Sequence, residues 1–300
     1  EFVKFYGLFL HLVKIVMKKR KQWRKVPKMI LAFICSLSLF AIFVLGILKI
    51  TLFNQNFMIR AVESSHYGET ITKEINHTIA DVGRGANISQ KWLNQTVSES
   101  LVNDNIKQYI HSIYAGSTFQ LEGEKQIEET VQSQLESYGK EKNYPRNAEF
   151  ETTVNKLKKV SIETVRRDIE IPYFALYGKK IMAYTSTLNL LLIFAVAFFG
   201  ILFSAIISLN KPFFHLIIRY LAYVIGGAGL MVGALPTYLY VTRLIERLGI
   251  HSEALYLFLT TYLKNFLFMF MKFGLFSILL ILFLFGVSEF FRKKIVRREK

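Results

Sequence analysis

Two Glu-x-x-His pairs, Glu63-Ser64-Ser65-His66 and Glu74-Ile75-Asn76-His77, carry the residue types and spacing best suited to chemistry in this sequence. A carboxylate and an imidazole three residues apart share a helix face, and this spacing supplies ligands in di-metal helix bundles. The pairs are eleven residues apart, about three helical turns, so on one continuous helix Glu63, His66, Glu74 and His77 would fall within about 80° of arc. His111, in the next segment, could add a further ligand. Two features point away from a metal. Di-metal bundles draw their pairs from facing helices, whereas these would lie about 16 Å apart along one axis. The apolar stripe of the same segment also sits about 120° away, which puts the four side chains on a solvated face. The reading is therefore no metal and no cofactor, with Glu63, His66, Glu74 and His77 as the ligands should a metal bind.

Arg219 and Lys272 interrupt otherwise apolar runs, and an ionisable residue within a membrane span raises a functional hypothesis by default. Both stand a few residues from an expected interface, where a long side chain can snorkel to the headgroups. No acidic residue lies mid-span to form a proton or ion relay. The chain has no P-loop, nucleophile elbow, zinc-protease helix motif or Gly-rich nucleotide turn, so the expectation is a protein that is not an enzyme. The Asn-x-Ser/Thr triplets at Asn76, Asn87 and Asn94 are no more than chance frequency provides. The one cysteine, Cys35, allows no disulfide within the chain and reads as a buried apolar side chain.

These residues are set in a chain of 300, of which 52% are apolar and 15% aromatic, a membrane composition. The net charge of +16 is unevenly spread. Residues 54–178 hold 14 Lys/Arg against 17 Asp/Glu, a net of −3, so the flanking segments carry +19. Basic residues beside apolar spans anchor against an anionic inner leaflet. No nucleic-acid motif accompanies the charge, and no nucleic-acid partner is expected.

Residues 1–28 read as a cytoplasmic amphipathic helix followed by a basic run. Lys4, Gly7, His11 and Lys14 form one polar stripe, suited to the inner membrane interface or to packing on the cytoplasmic ends of the spans. The first span covers 29–53, with Met29–Leu48 charge-free over 20 residues, enough to cross about 30 Å of hydrocarbon. Span two covers 181–210, entered through the aromatic residues Tyr173, Phe174, Tyr177 and Tyr184. Gly200, Ser204 and Ser208 give it a small-residue face. Lys211-Pro212 turns the chain into span three, 213–241, which carries the small pairs Ala222/Gly226 and Gly229/Gly233 and should bend at Pro236. An outer loop or interfacial helix (or an extension of the next span) occupies 242–264, span four covers 265–291, and 292–300 is a basic tail. The positive-inside rule places both termini in the cytoplasm and the protein in the cell membrane as a multi-pass chain.

Residues 54–180 then form an extracytoplasmic domain, and their period is helical. Ile71, Ile75, Ile79 and Val82 make one stripe, closed by Gly83-Arg84-Gly85. A second segment runs from Ser89 to Ala115 with Trp92, Leu93, Ile106, Ile110, Ile113 and Tyr114 as core candidates. Ile127, Val131, Leu135 and Tyr138 make a third stripe, and Phe150, Val154, Leu157, Val165 and Ile169 a fourth. The fold class is thus all-α, with four transmembrane helices and a helical bundle whose first and last helices continue the spans outward.

Asn54-Gln55-Asn56-Phe57, Ser65-His66-Tyr67, and Asn105-Ile106 through Tyr109-Ile110 and Tyr114 resemble an uncharacterised family of Gram-positive membrane proteins; the resemblance implies no activity. The order of one span, a large external domain and three further spans resembles the mechanotransmitting ABC permeases. Those carry a longer cytoplasmic loop between spans two and three than Lys211-Pro212. The leading expectation is a non-enzymatic membrane protein of a Gram-positive cell whose external bundle binds an envelope component or partner protein, its spans packing with a partner or a second copy. The alternatives are a transport component, either an ABC-associated permease or an oligomeric pore, and a metal-dependent envelope enzyme.

Overall fold

The computed structural model describes residues 26–170, 172–211 and 213–298, and every regular element among them is helical. The expected amphipathic helix with Lys4, His11 and Lys14, and also Pro212, lie outside the described residues. The chain forms α1 Val26–Ile50, α2 Gln55–Ser64, α3 Tyr67–Gly85, α4 Glu99–Ala115, α5 Glu124–Glu141, α6 Ala148–Ile169, α7 Pro172–Ala183, α8 Thr185–Asn210, α9 Phe214–Val241 and α10 Glu253–Arg298. Two 3₁₀ turns, Gln90–Trp92 and Leu244–Arg247, lie in the connections. Four helices, α1, α8, α9 and α10, are long and apolar enough to cross a membrane. The chain divides into two compact units. An apolar unit holds α1 to residue 47, residues 187–242 and the chain from 267; a bundle unit holds 48–186 and 243–266.

The apolar unit reverses the usual distribution of side chains. Ile193, Ile201, Leu282 and Phe283 are each about two-thirds exposed. Ser36, Ser38, Asn210, Ser277 and Ser288 are buried. In water such a surface would be a continuous aggregation patch, whereas among lipid chains it costs nothing and the polar groups are the ones that need cover. Three of the hydroxyls find backbone carbonyls: Ser38 donates to Ala195 at 3.3 Å, Ser277 to Phe273 at 2.8 Å and Ser288 to His215 at 2.8 Å.

Small residues set the contact between α9 and α10, and here the expected pairs hold. Ala222, Gly226 and Gly229 are buried. A Cβ on Gly229 would lie 2.3 Å from Ser277 Cβ. Gly274 of α10 completes the contact, since a Cβ there would meet Gly233 Cα at 3.0 Å and the Gly229 carbonyl at 3.2 Å. Those neighbours are backbone and cannot swing aside. Gly274→Val should therefore push the two helices apart, at a cost of about 1–3 kcal/mol, read as a lower melting temperature of the detergent-solubilised protein. Gly200→Val is the control. The expected small-residue face of α8 meets no neighbour among the described residues at Gly200: Gly200, Ser204 and Ser208 are exposed, and nothing lies within 4 Å of a Cβ at Gly200.

In the bundle unit, turn chemistry fixes where the helices start and stop. Asn54 caps α2 by accepting from Asn56 N at 2.9 Å, Ser98 caps α4 and Asn147 caps α6. Gly116 and Gly123 take left-handed backbone at either end of the loop between α4 and α5, where a side chain would be strained. The four expected stripes converge on one core that includes Ile75, Ile79, Leu93, Ile113, Val131, Leu135 and Val165. Val82 departs from its stripe and is exposed; Gly83 is buried in its place, with Leu93 so close that a Cβ there would meet it at 2.3 Å.

Several boundaries differ from expectation. The segment 89–98 is loop and 3₁₀ turn rather than the start of a helix, and α4 begins only at Glu99 behind its Ser98 cap. The bundle does not continue the spans as unbroken helices at its two ends. A turn at Thr51–Phe53 separates α1 from α2, and a break at Tyr184 separates α7 from α8. Phe174, expected in an interfacial belt, packs into the bundle core against Phe258 at 6.4 Å. Of the alternatives open for 242–264 (outer loop, interfacial helix or extension of span four), the structure has the last from Glu253 on: a 3₁₀ turn is followed by the first turns of α10. Its Ala254 and Phe258 are fully part of the bundle core.

Candidate functional site

The Glu-x-x-His residues are dispersed rather than brought together. Ser65 ends α2, and His66 adopts left-handed backbone at φ 53° before α3 begins. That single residue breaks the continuous helix on which the shared arc depended, so Glu63 belongs to α2 while Glu74 and His77 belong to α3. Glu63 pairs with Lys107 at 3.4 Å, His66 lies 4.0 Å from Glu69, and His77 lies 3.2 Å from Asp81. His111 Nδ1 faces the Gln55 amide oxygen at 3.4 Å. No group of three or more His, Cys, Asp or Glu among the described residues could hold a metal ion. His66→Gly should leave stability unchanged or raise it by up to about 1 kcal/mol, read from the melting temperature, because glycine adopts that backbone freely. The exposed contact to Glu69 that it removes is worth little.

Glu74 has a structural task that its sequence context does not announce. Its carboxylate accepts from Ser252 Oγ at 2.9 Å and from Ala254 N at 2.9 Å, while Ser252 Oγ accepts from Leu255 N at 3.1 Å. The carboxylate thus satisfies the orphan donors at the start of α10 and complements that helix's positive end. Glu74→Ala should destabilise the bundle unit by about 2 kcal/mol, and Glu74→Gln by less, as read by hydrogen exchange at residues 253–256.

Two buried asparagines perform the same service for loops. Asn76 Nδ2 donates to the Val97 carbonyl and Asn76 Oδ1 accepts from Val97 N, both at 2.9 Å. Asn105 Nδ2 donates to the Leu101 and Glu122 carbonyls, and its oxygen accepts from Glu122 N at 2.8 Å. Each amide stands in for a missing backbone partner and pins one loop to the helix core.

The loop pinned by Asn76 forms one wall of a groove of about 530 Å³. Asn94, Gln95 and Gln126 line it with exposed side-chain amides that make no hydrogen bond within the described chain. Across from them the Lys73 ammonium donates to Glu69 at 2.7 Å, and this bond and charge hold the Glu69 carboxyl below its ordinary range. Beneath, Thr96 donates to the Leu93 carbonyl and Gln134, and Gln134 donates to the Gln95 carbonyl, so the wall is internally braced. Three free amides offer donors and acceptors of both kinds, and Glu99 adds a carboxylate to the lining, a surface for hydroxyl- and amide-bearing groups. The bundle also holds an apolar cavity of about 330 Å³, walled by Met58, Ile113, Phe174, Leu255 and Phe258. No protein-family model, curated protein or solved structure matches the chain.

In the apolar unit Arg219 has a charged neighbour. Its guanidinium lies 3.7 Å from Glu289, a carboxylate that Arg292 also binds more closely. Lys272 rests over the Phe268 ring at 4.7 Å, a cation–π contact that shelters the charge while the stem lies on apolar surface.

Proposed function

We propose that this is a non-enzymatic membrane protein whose helical bundle binds an envelope component outside the membrane. The observation that carries the reading is the braced groove with Asn94, Gln95 and Gln126 presenting unengaged amides beside the Glu69–Lys73 pair. Surface amides normally spend themselves on water. Three of them set around one concave surface, two on the loop fixed by Asn76 and one on α5, are pre-organised to exchange that water for ligand hydroxyls and amides. Glycan and peptide segments of a cell wall present those groups.

The test uses the full chain in lipid nanodiscs, titrated calorimetrically with soluble disaccharide-peptide fragments of peptidoglycan. Saturable binding is expected, weakened about tenfold or more when Asn94, Gln95 and Gln126 are all changed to alanine, since each hydrogen bond contributes about 0.5–1.5 kcal/mol. Absence of binding, or binding indifferent to the triple substitution, would remove the groove from the proposal. Cross-linking on cells reads the broader idea: a reproducible envelope partner contacting residues 55–180 is expected, and a clean monomer counts against it.

A further inference from the structure

The apolar unit contains a cleft of about 1,070 Å³ between α1, α8 and α9, at the upper end of the range of small-molecule sites. Met29, Phe33, Tyr220 and Tyr223 give it apolar and aromatic walls. Lys28 and Arg219 also line it, and it is their charge balance that calls for explanation.

Lys28 Nζ donates to the Leu209 carbonyl at 2.7 Å and to Asn210 Oδ1 at 3.0 Å, both neutral acceptors at the end of α8. Asn210 is itself held, buried, by donating to the Ile206 carbonyl at 2.8 Å. Arg219 shares the single carboxylate of Glu289 with Arg292, and its Nε is buried with no hydrogen-bond partner. Ser36 Oγ, 3% exposed on the cleft wall, is likewise buried without a partner. Lys28 thus has only neutral acceptors, and Arg219 has only a share of one carboxylate, beside apolar helices where an uncompensated charge is expensive. The excess is positive and the walls are apolar. A molecule with an anionic head and alkyl chains satisfies both at once.

We infer that the cleft between α1, α8 and α9 is a binding site for one anionic phospholipid, its phosphate taken by Lys28 and Arg219 and its chains laid along Met29, Phe33, Tyr220 and Tyr223. Glu289 competes with the phosphate for Arg219, so removing its charge should tighten the site rather than loosen it.

The full chain is purified in neutral detergent and titrated separately with phosphatidylglycerol and phosphatidylcholine, bound lipid being counted by native mass spectrometry. One phosphatidylglycerol should bind saturably, in preference to phosphatidylcholine. Lys28→Gln or Arg219→Gln should each weaken it about fivefold, and the double variant about thirtyfold, on the scale of a single cation near a lipid head. Glu289→Gln should strengthen it, an outcome that mere loss of packing would not produce. Inorganic phosphate should not displace the lipid. Equal retention of the two lipids by the unaltered protein overturns the inference without recourse to any variant. Displacement by millimolar phosphate overturns it too, because the site would then be a phosphate site.

Discussion

Phe258→Ala should destabilise the bundle unit by about 3–5 kcal/mol, the range for truncating a buried aromatic to alanine. Phe258 is 4% exposed and meets Tyr67 at 5.4 Å, Tyr262 at 6.1 Å and Phe174 at 6.4 Å. It also walls the apolar cavity of about 330 Å³, so its removal would enlarge an existing void rather than let neighbours collapse into it. The measurement is hydrogen exchange in α3 and α4, whose core residues share the cluster with Phe258. Exchange there should rise by orders of magnitude, while Phe276→Ala, at a residue 65% exposed in the same helix, should leave it unchanged. Unaltered protection in the Phe258 variant would show that residues 243–266 only lie against the bundle and do not hold it together.

Asn105→Ala is expected to cost about 2–4 kcal/mol, because buried polar groups left unpaired lose more than the hydrogen bonds are worth. Asn105 is 1% exposed, and its substitution would orphan both the amide and the carbonyl of Glu122. The loop between α4 and α5 would lose its anchor, and with it the placement of Leu121 in the core. Asn105→Asp separates the contributions: it keeps an acceptor for Glu122 N, loses the two donations and places a charge in the core. Thermal unfolding should rank wild type above both variants. Proteolysis at residues 116–123 should become the earliest cleavage. Melting at the wild-type temperature would mean that water replaces the amide without loss.

The residues on which the expected family resemblance rested hold structural posts. Asn54 caps α2, His66 makes the left-handed turn into α3, Asn105 clamps a loop and Tyr109 lies in the core. Tyr114 donates to the Leu52 carbonyl at 3.0 Å, and burial pushes its hydroxyl well above the ordinary tyrosine range. Tyr67, buried beside Phe258, is raised for the same reason. Ring hydroxyls so placed do not ionise near neutrality, and their place is in packing.

The amino-acid sequence was enough to dictate the all-α class, the four long apolar helices and the stripes of α3, α5 and α6, because each depends only on length and on a period of about 3.6 along one segment. It also located the small pairs of α9, since close helix contact demands small residues. It could not say which small face would be used. Gly229 meets a partner only because α10 brings Gly274 and Ser277 to it, whereas Gly200 on α8 has the same local pattern and no neighbour. The single left-handed residue His66 was invisible to periodicity, and it dissolved the metal-ligand arc by ending one helix and starting another. Glu74, Asn76, Asn105 and Phe258 acquire their roles from residues 17 to 191 positions away in the chain. Hydrogen bonds and core contacts at that separation are made by the fold, and no local spacing carries them.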